Sequence, residues 1–453
     1  MAPKTKTVFV CQQCGQSYSK WSGRCQDCGQ WNSIVEERER TIPESSKSLA
    51  PEGLSRPQLI GNIGTESIPR LASGLSELDS ILGGGLVPGS VVLIGGEPGV
   101  GKSTLLLQAA EFYANHSGTV LYVSGEESAS QIALRSSRLD VRSEALYVVA
   151  ENRLEAIQDH VEKFAPSCLI VDSIQTVFSG AVESQMGSVG QLRECAHTLI
   201  SMAKSKNIAT FLVGHVTKEG TIAGPKIIEH MVDVVLYFEG TSSLSFRLLR
   251  SIKNRFGSTN EVGVFEILSK GLRAVANPSE LFLAERPTRI PGSVVAASLE
   301  GSRPILVEVQ ALVSSTSLAM PRRTSIGIDP NRVSLLVAIL EKRGGFRLYD
   351  QDVYVNIAGG LKLNEPAVDL AISAAIISSY TGKMPEAKTV FLGEVGLGGE
   401  IRSVPRAAER LKEARRIGLT CAYLPMKAAK ELKEYSEMNL IGVENIQQLG
   451  DLS

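Results

Sequence analysis

The residues Gly96-Glu97-Pro98-Gly99-Val100-Gly101-Lys102-Ser103 read G-x-x-x-x-G-K-S, with Thr104 next in line. That pattern does chemistry in one setting, a strand that ends in glycines and runs into a helix. The flanks supply it, because residues 91–94 are the apolar run Val-Val-Leu-Ile and residues 104–110 read as a helix. Such a loop turns successive backbone N–H groups toward a polyphosphate, and the helix start adds the positive end of its dipole. The stretch from Gly96 to Thr104 is therefore expected to bind ATP. Lys102 would reach the β- and γ-phosphates, and the Ser103 hydroxyl would ligate Mg2+.

Two acidic positions extend the chemistry. Cys168-Leu169-Ile170-Val171-Asp172 is an apolar run ending in aspartate, the form of a Walker B element, which sets Asp172 to hold Mg2+ through a water. Leu121-Tyr122-Val123-Ser124-Gly125-Glu126-Glu127 ends the neighbouring strand with two carboxylates beside the γ-phosphate position. Glu126 is the candidate general base for the attacking water; a solvated strand-end acid is the ordinary alternative at either position. Residues 211–213 run into Gly214 and His215, which read either as a γ-phosphate sensor relaying into residues 217–226 or as a strand-end histidine bonded to its own loop. Residues 176–190 lack periodicity, and with 217–226 they give two loops at the carboxyl edge of a sheet, where a polymer substrate can be gripped.

A second constellation lies near the N-terminus. Four of the seven cysteines fall as Cys11-x2-Cys14-x10-Cys25-x2-Cys28, the spacing of a four-thiolate zinc site. Gly15 and Gly29 follow the two pairs and allow tight knuckles whose N–H groups bond the thiolates. Four protein ligands leave no open position, so Zn2+ here is structural. A disulfide is disfavoured by a reducing compartment and a redox pair by the absence of a βαβ setting. Trp21 and Trp31, the only tryptophans, flank the second knuckle; they read as the small core of the module, with an exposed stacking platform as the alternative.

The elements that must position these groups follow from the apolar patterning. Runs at 91–94, 120–123, 146–149, 169–171, 211–213 and 234–238 alternate with helical patterns, which builds an α/β domain around a mostly parallel sheet. At 453 residues and 43% hydrophobic content the chain is long enough for two or three domains. Residues 36–66 turn charged and then rich in Ser, Pro and Gly, as a flexible linker does. The expected organisation is a zinc module over 1–35, the linker over 36–66, the ATPase domain over 67–275 and a further domain over 276–453. No apolar run is long enough to span a membrane and no signal-peptide segment opens the chain, so a cytoplasmic protein without a membrane partner is expected. A formal charge of −1 neither requires nor excludes nucleic acid, and any basic surface must be local.

Leu71-Ala72-Ser73-Gly74-Leu75-Ser76-Glu77-Leu78-Asp79, then Leu82-Gly83-Gly84-Gly85-Leu86 and the phosphate loop, resemble the opening of RecA-like ATPases, the group that includes RecA, KaiC and DnaB-type helicases. The four-cysteine knuckle in front, and Lys253-Asn254-Arg255-Phe256-Gly257 behind, narrow the resemblance to the RadA (Sms) family of bacterial DNA-repair proteins over essentially the whole chain. The resemblance implies a homo-hexameric ring that hydrolyses ATP while moving on single-stranded DNA, driving branch migration of recombination intermediates made by RecA. It implies that Lys253 and Arg255 act on a neighbour's γ-phosphate; two cations at i, i+2 on one strand share a face, which is consistent with this. A solvated cationic strand face is the alternative. A KaiC-like signalling or timing ATPase that does not act on DNA is the rival function.

From about Asn277 the chain resembles the α+β Lon protease domain, at Asn364-Glu365-Pro366-Ala367-Val368-Asp369 and Gly393-Glu394-Val395-Gly396-Leu397-Gly398-Gly399-Glu400-Ile401. Ala367 stands where the family's serine nucleophile would be and Ala408 near its lysine base, so the Ser-Lys dyad is absent. The expectation is a protease fold kept as a scaffold. Arg322, Arg323, Arg332, Lys342, Arg343 and Arg347 would give it a DNA-facing surface, or would be ordinary solvated charge.

Overall fold

The computed structural model describes residues 5–13, 15–40, 69–182, 184–215, 227–240, 246–287, 290–316, 320–433 and 437–451. It divides into two compact units, Met1–Ala276 and Asn277–Ser453.

In the first unit, β1 (Thr5–Cys11), β2 (Ser17–Tyr18) and β3 (Ile34–Arg40) form a small antiparallel sheet in the order β2-β1-β3. Strand β3 continues five residues into the stretch expected as linker. The ladder with β1 runs from Cys11↔Ile34 to Thr5↔Arg40, and that backbone pairing makes a strand of a charged segment that offers no apolar pattern. The rest of the expected linker, from residue 41 onward, lies outside the described residues.

The large sheet contains β4 (Val91–Gly96), β5 (Val120–Ser124), β6 (Leu146–Ala150), β7 (Cys168–Asp172), β8 (Ala209–His215), β9 (Val234–Glu239), β10 (Phe246–Asn254), β11 (Val262–Leu268) and β12 (Gly271–Ala274). Its order is β12-β11-β10-β9-β4-β8-β7-β5-β6. Strands β9, β4, β8, β7, β5 and β6 run parallel, and β10 to β12 complete one edge as an antiparallel meander. The six apolar runs seen in the sequence are these six parallel strands. Period-two alternation sorts them into two cores. Val92, Ile94, Tyr122, Ile170, Phe211 and Val213 face the helix α2 (Lys102–His116), with Leu105, Leu106 and Tyr113 buried among them. Val91, Leu93, Leu121, Val123, Leu169 and Leu212 face α4 (Leu154–Phe164) and α5 (Val189–Ser205). With both faces covered, the strands carry apolar residues at nearly every position. The short helices α1 (Ser76–Ile81), α3 (Ala129–Leu139) and α6 (Ile227–Met231) complete the unit.

The second unit packs α7 (Pro278–Leu283), α8 (Pro330–Ile339), α9 (Asp369–Thr381), α10 (Ala407–Arg416) and α11 (Met426–Leu432) on a mixed sheet. Its strands are β13 (Ser293–Glu300), β14 (Arg303–Ser315), β15 (Arg323–Ile326), β16 (Gln351–Ile357), β17 (Thr389–Phe391), β20 (Cys421–Pro425) and β21 (Asn439–Val443), in the order β15-β16-β14-β13-β17-β20-β21. The pair β18 (Glu394–Val395) and β19 (Ile401–Arg402) forms a separate hairpin. Helix α9 is buried from Asp369 through Ser378, which explains its lack of a polar face. No helix among the described residues is long and apolar enough to cross a membrane.

Candidate functional site

The glycines of the phosphate loop are there for close approach. A Cβ on Gly96 would stand 2.6 Å from the Phe238 carbonyl oxygen, and Gly101, which opens α2, holds φ at +115°. Lys102 and Ser103 thereby become the first residues of a helix whose N–H groups point out of the carboxyl end of the sheet. Lys102 is only 4% exposed. Its ammonium donates to the carbonyls of Gly96 (2.8 Å) and Glu97 (3.0 Å). Burial pushes its pKa down, and the carboxylates of Asp172 and Glu126 oppose the shift. A cavity of about 250 Å³ opens beside the loop, lined by Gly101, Thr104, Arg138, Leu268 and Leu272 among others.

Strand order brings the acids to this loop. Ser124 lies level with Asp172 across β5 and β7, and His215 lies level with Gly96 across β8 and β4. Three elements far apart in sequence thus end at one edge. The Glu126 carboxylate accepts from the Ser173 hydroxyl at 2.6 Å and lies 3.1 Å from His215 Nε2. Partial burial alone would raise its pKa, but the Ser173 hydrogen bond, His215 and Lys102 outweigh that and hold it below the usual carboxylate value. His215 thus touches Glu126 directly, and its Nδ1 is buried with no hydrogen-bond partner among the described residues. Residues 217–226, into which it was expected to relay, lie outside them. Glu127 pairs instead with Arg135 of α3.

Two residues escaped the sequence reading. The Tyr122 hydroxyl donates to Asp172 Oδ2 at 2.6 Å, so one buried phenol fixes the acid of β7. Arg247 of β10 donates from Nε to the Val100 carbonyl at 3.1 Å and steadies the loop from beneath. Tyr122 looks like ordinary core until β5 is known to turn that face toward α2.

Lys253 and Arg255 stand at the opposite edge. A bulge between Ser251 and Lys253 precedes the pair, and Arg255 falls one residue past the end of β10, where its N–H still donates to the Asp233 carbonyl. Both still reach one locus. Lys253 Nζ donates to the carbonyls of Glu229 (2.9 Å), His230 (3.0 Å) and Val232 (2.7 Å) at the end of α6. Arg255 binds Asp233 at 3.1 Å, and the other Asp233 oxygen accepts from the Val91 N–H at the start of the P-loop strand.

In the N-terminal module Cys11, Cys25 and Cys28 bring their sulfurs within 4.8 Å of one another. Cys14 lies outside the described residues. Cys11 and Cys28 are 3.7 Å apart, against ~3.8 Å between thiolates on a tetrahedral metal with bonds of ~2.3 Å. The knuckle turns close through Gly15 N–H to Cys11 O (2.8 Å) and Gly29 N–H to Cys25 O (3.0 Å). The donors and their spacing fit zinc. The preferred reading of the tryptophans does not hold: Trp21 is 61% and Trp31 68% exposed, while Cys11, Cys25 and Ile34, with Phe9 and Tyr18, form the small core. The cysteines occupy the centre that the indoles were expected to fill.

In the second unit Ala367 is buried in a short turn before α9, and Ala408 is exposed on α10. The expected basic cluster is not one surface. Arg332 is consumed by buried Asp369, with Nε 2.8 Å from Oδ1, and Arg323 donates to the carbonyls of Arg322, Leu348 and Gln351. Arg322, Lys342, Arg343 and Arg347 remain exposed. Arg347 stacks over Tyr349.

A P-loop whose lysine and serine meet an aspartate and a glutamate from neighbouring parallel strands defines an α/β ATPase domain. The family model described as AAA domain matches residues 61–221, that of a rubredoxin metal binding domain residues 9–36, and that of subunit ChlI of Mg-chelatase residues 316–428. Proteins described as DNA repair protein RadA match nearly end to end. The one from Halalkalibacterium halodurans is 49% identical over 98% of both chains, as is that from Bacillus subtilis, and one from Streptococcus pyogenes is 51% identical over 98% of both. The chain belongs to the RadA family of DNA repair proteins. Among solved structures, a KaiC-like protein from Pyrococcus horikoshii is similar at 22% identity and a TM-score of 0.39, over 46% of this chain and 99% of that one.

Proposed function

We propose that the chain is an ATP-driven motor that moves on single-stranded DNA and remodels branched recombination intermediates, those made by RecA among them, as a homo-hexameric ring whose active sites are completed between subunits. The observation that carries this reading is the placement of Lys253 and Arg255. Lys253 pairs with Val235 and Asn254 with Val234, itself level with Val92 near the start of β4. The P-loop begins at the other end of that strand, roughly 13 Å away by strand rise alone, and the phosphates lie beyond. The pair cannot serve its own subunit's nucleotide. On assembly Lys253 would exchange the carbonyls of its own α6 for a neighbour's phosphate, as an arginine finger does.

In this reading Gly96 to Thr104 hold ATP, and Lys102 leaves the loop carbonyls for the phosphates. Ser103 and Asp172, the latter oriented by Tyr122, would hold Mg2+, which would neutralise phosphate charge. Glu126, fixed by Ser173 and His215, orients and deprotonates the attacking water. Cys11, Cys14, Cys25 and Cys28 hold structural Zn2+. Residues 277–453 act as scaffold, since Ala367 and Ala408 supply neither nucleophile nor base. The kinship with DNA repair proteins speaks against the signalling alternative.

Single-stranded DNA should raise the steady-state ATPase rate several-fold, and duplex DNA less. A rate indifferent to DNA under low salt would remove the motor reading. For the shared site, mixing Lys253→Ala with Lys102→Ala subunits should restore part of the activity, because some interfaces then pair an intact P-loop with an intact cation. No rescue in rings shown to be mixed would return Lys253 to its role as a cap on α6.

A further inference from the structure

Indoles are usually buried over most of their area, yet both tryptophans of this chain are largely exposed on the N-terminal module, outside its core. They are also held in place. Trp21 Nε1 donates to the Ile34 carbonyl at 3.2 Å. Trp31 carries the Arg24 guanidinium 5.8 Å from its ring centroid, and Arg24 Nε is itself fixed to the Gly29 carbonyl at 2.9 Å. The two rings converge on Gly23, where a Cβ would stand 3.8 Å from Trp21 and 3.9 Å from Trp31. No side chain separates them there. Exposed Lys20 and Arg24 supply positive charge on the same loop.

We propose that Trp21 and Trp31 form a stacking platform for the unpaired bases of single-stranded DNA, with Lys20 and Arg24 meeting the adjoining phosphates; this rests on the DNA-acting function proposed above. Flat π-faces fixed in advance lose little freedom on binding and accept any base, which suits sequence-independent tracking of a strand. Cations beside them add a salt-dependent phosphate contact. A protein partner fits less well. Such an interface buries ~800 Å² per side around an apolar centre, and among the described residues of the module the other large exposed hydrophobic side chain is Val35.

The test uses the full chain with zinc bound. Because these are its only tryptophans, all indole emission reports on the platform. Titration with an oligo-dT strand should quench that emission in step with the anisotropy of the same strand carrying a dye. Replacing both residues by alanine should weaken strand affinity between about 5-fold and 100-fold, the worth of one stacked base, and phenylalanine at both positions should restore most of it. Zinc content and DNA-free ATP turnover should stay as in the unmodified chain. Anisotropy that rises while indole emission stays flat, with the alanine variant binding normally, would overturn the platform and leave this face to a protein, with the DNA-acting function intact. No anisotropy change at all would overturn both.

Discussion

Replacing Lys102 by alanine should lower ATP turnover by about 10² to 10³, with the protein still folded. The lysine is buried at the start of α2, and the carboxylates of Asp172 and Glu126 act on its charge. Two loop carbonyls hold it in readiness. Its removal leaves those carbonyls to water and takes a fixed positive charge from where negative charge accumulates as the γ-phosphoryl group departs. The core beneath is untouched, because Leu105, Leu106 and Tyr113 bury α2 independently of Lys102. Steady-state hydrolysis, read beside circular dichroism and zinc content, measures the effect. Turnover within a few-fold of the unmodified chain would reject the assignment of this loop as the phosphate site.

Much of this site is written locally. The loop, its strand and its helix are contiguous, so pattern and context confirm one another within 20 or so residues, and Asp172 and Glu126 are legible as acids that end apolar runs. What is not legible depends on strand order. That His215 lies level with Gly96, or that the Tyr122 hydroxyl reaches Asp172, follows from β8 sitting beside β4 and β7 beside β5, and nothing local announces that order. The tryptophans failed for another reason. Aromatic residues in a small module are ordinarily its core, but a cysteine cluster takes that place and leaves the indoles outside. Lys253 and Arg255 were legible as a pair, while the bulge that sets their direction was not.

The largest stability effect should come from Arg410, which lies two residues beyond Ala408 on α10. It is fully buried, and its two terminal nitrogens each meet one oxygen of Glu365 at 2.7 Å. It donates further to the carbonyls of Ala297 (2.5 Å) and Pro405 (3.2 Å), while Glu365 accepts from the Leu299 N–H. One ion pair therefore ties α10 to β13 and to the turn that carries Ala367. Arg410→Met should destabilise the second unit by about 3–5 kcal/mol, because it strands a carboxylate that its surroundings no longer neutralise. Adding Glu365→Leu should recover part of that by removing the stranded charge. Recovery stays incomplete, since the carbonyls of Ala297 and Pro405 lose their partner in both variants and the Leu299 N–H loses its own in the double one. Denaturant unfolding of the full chain, with hydrogen exchange followed in α10 and β13, separates this unit from the first. A loss below about 1 kcal/mol for the single variant would place the pair among surface salt bridges and show that packing alone holds α10.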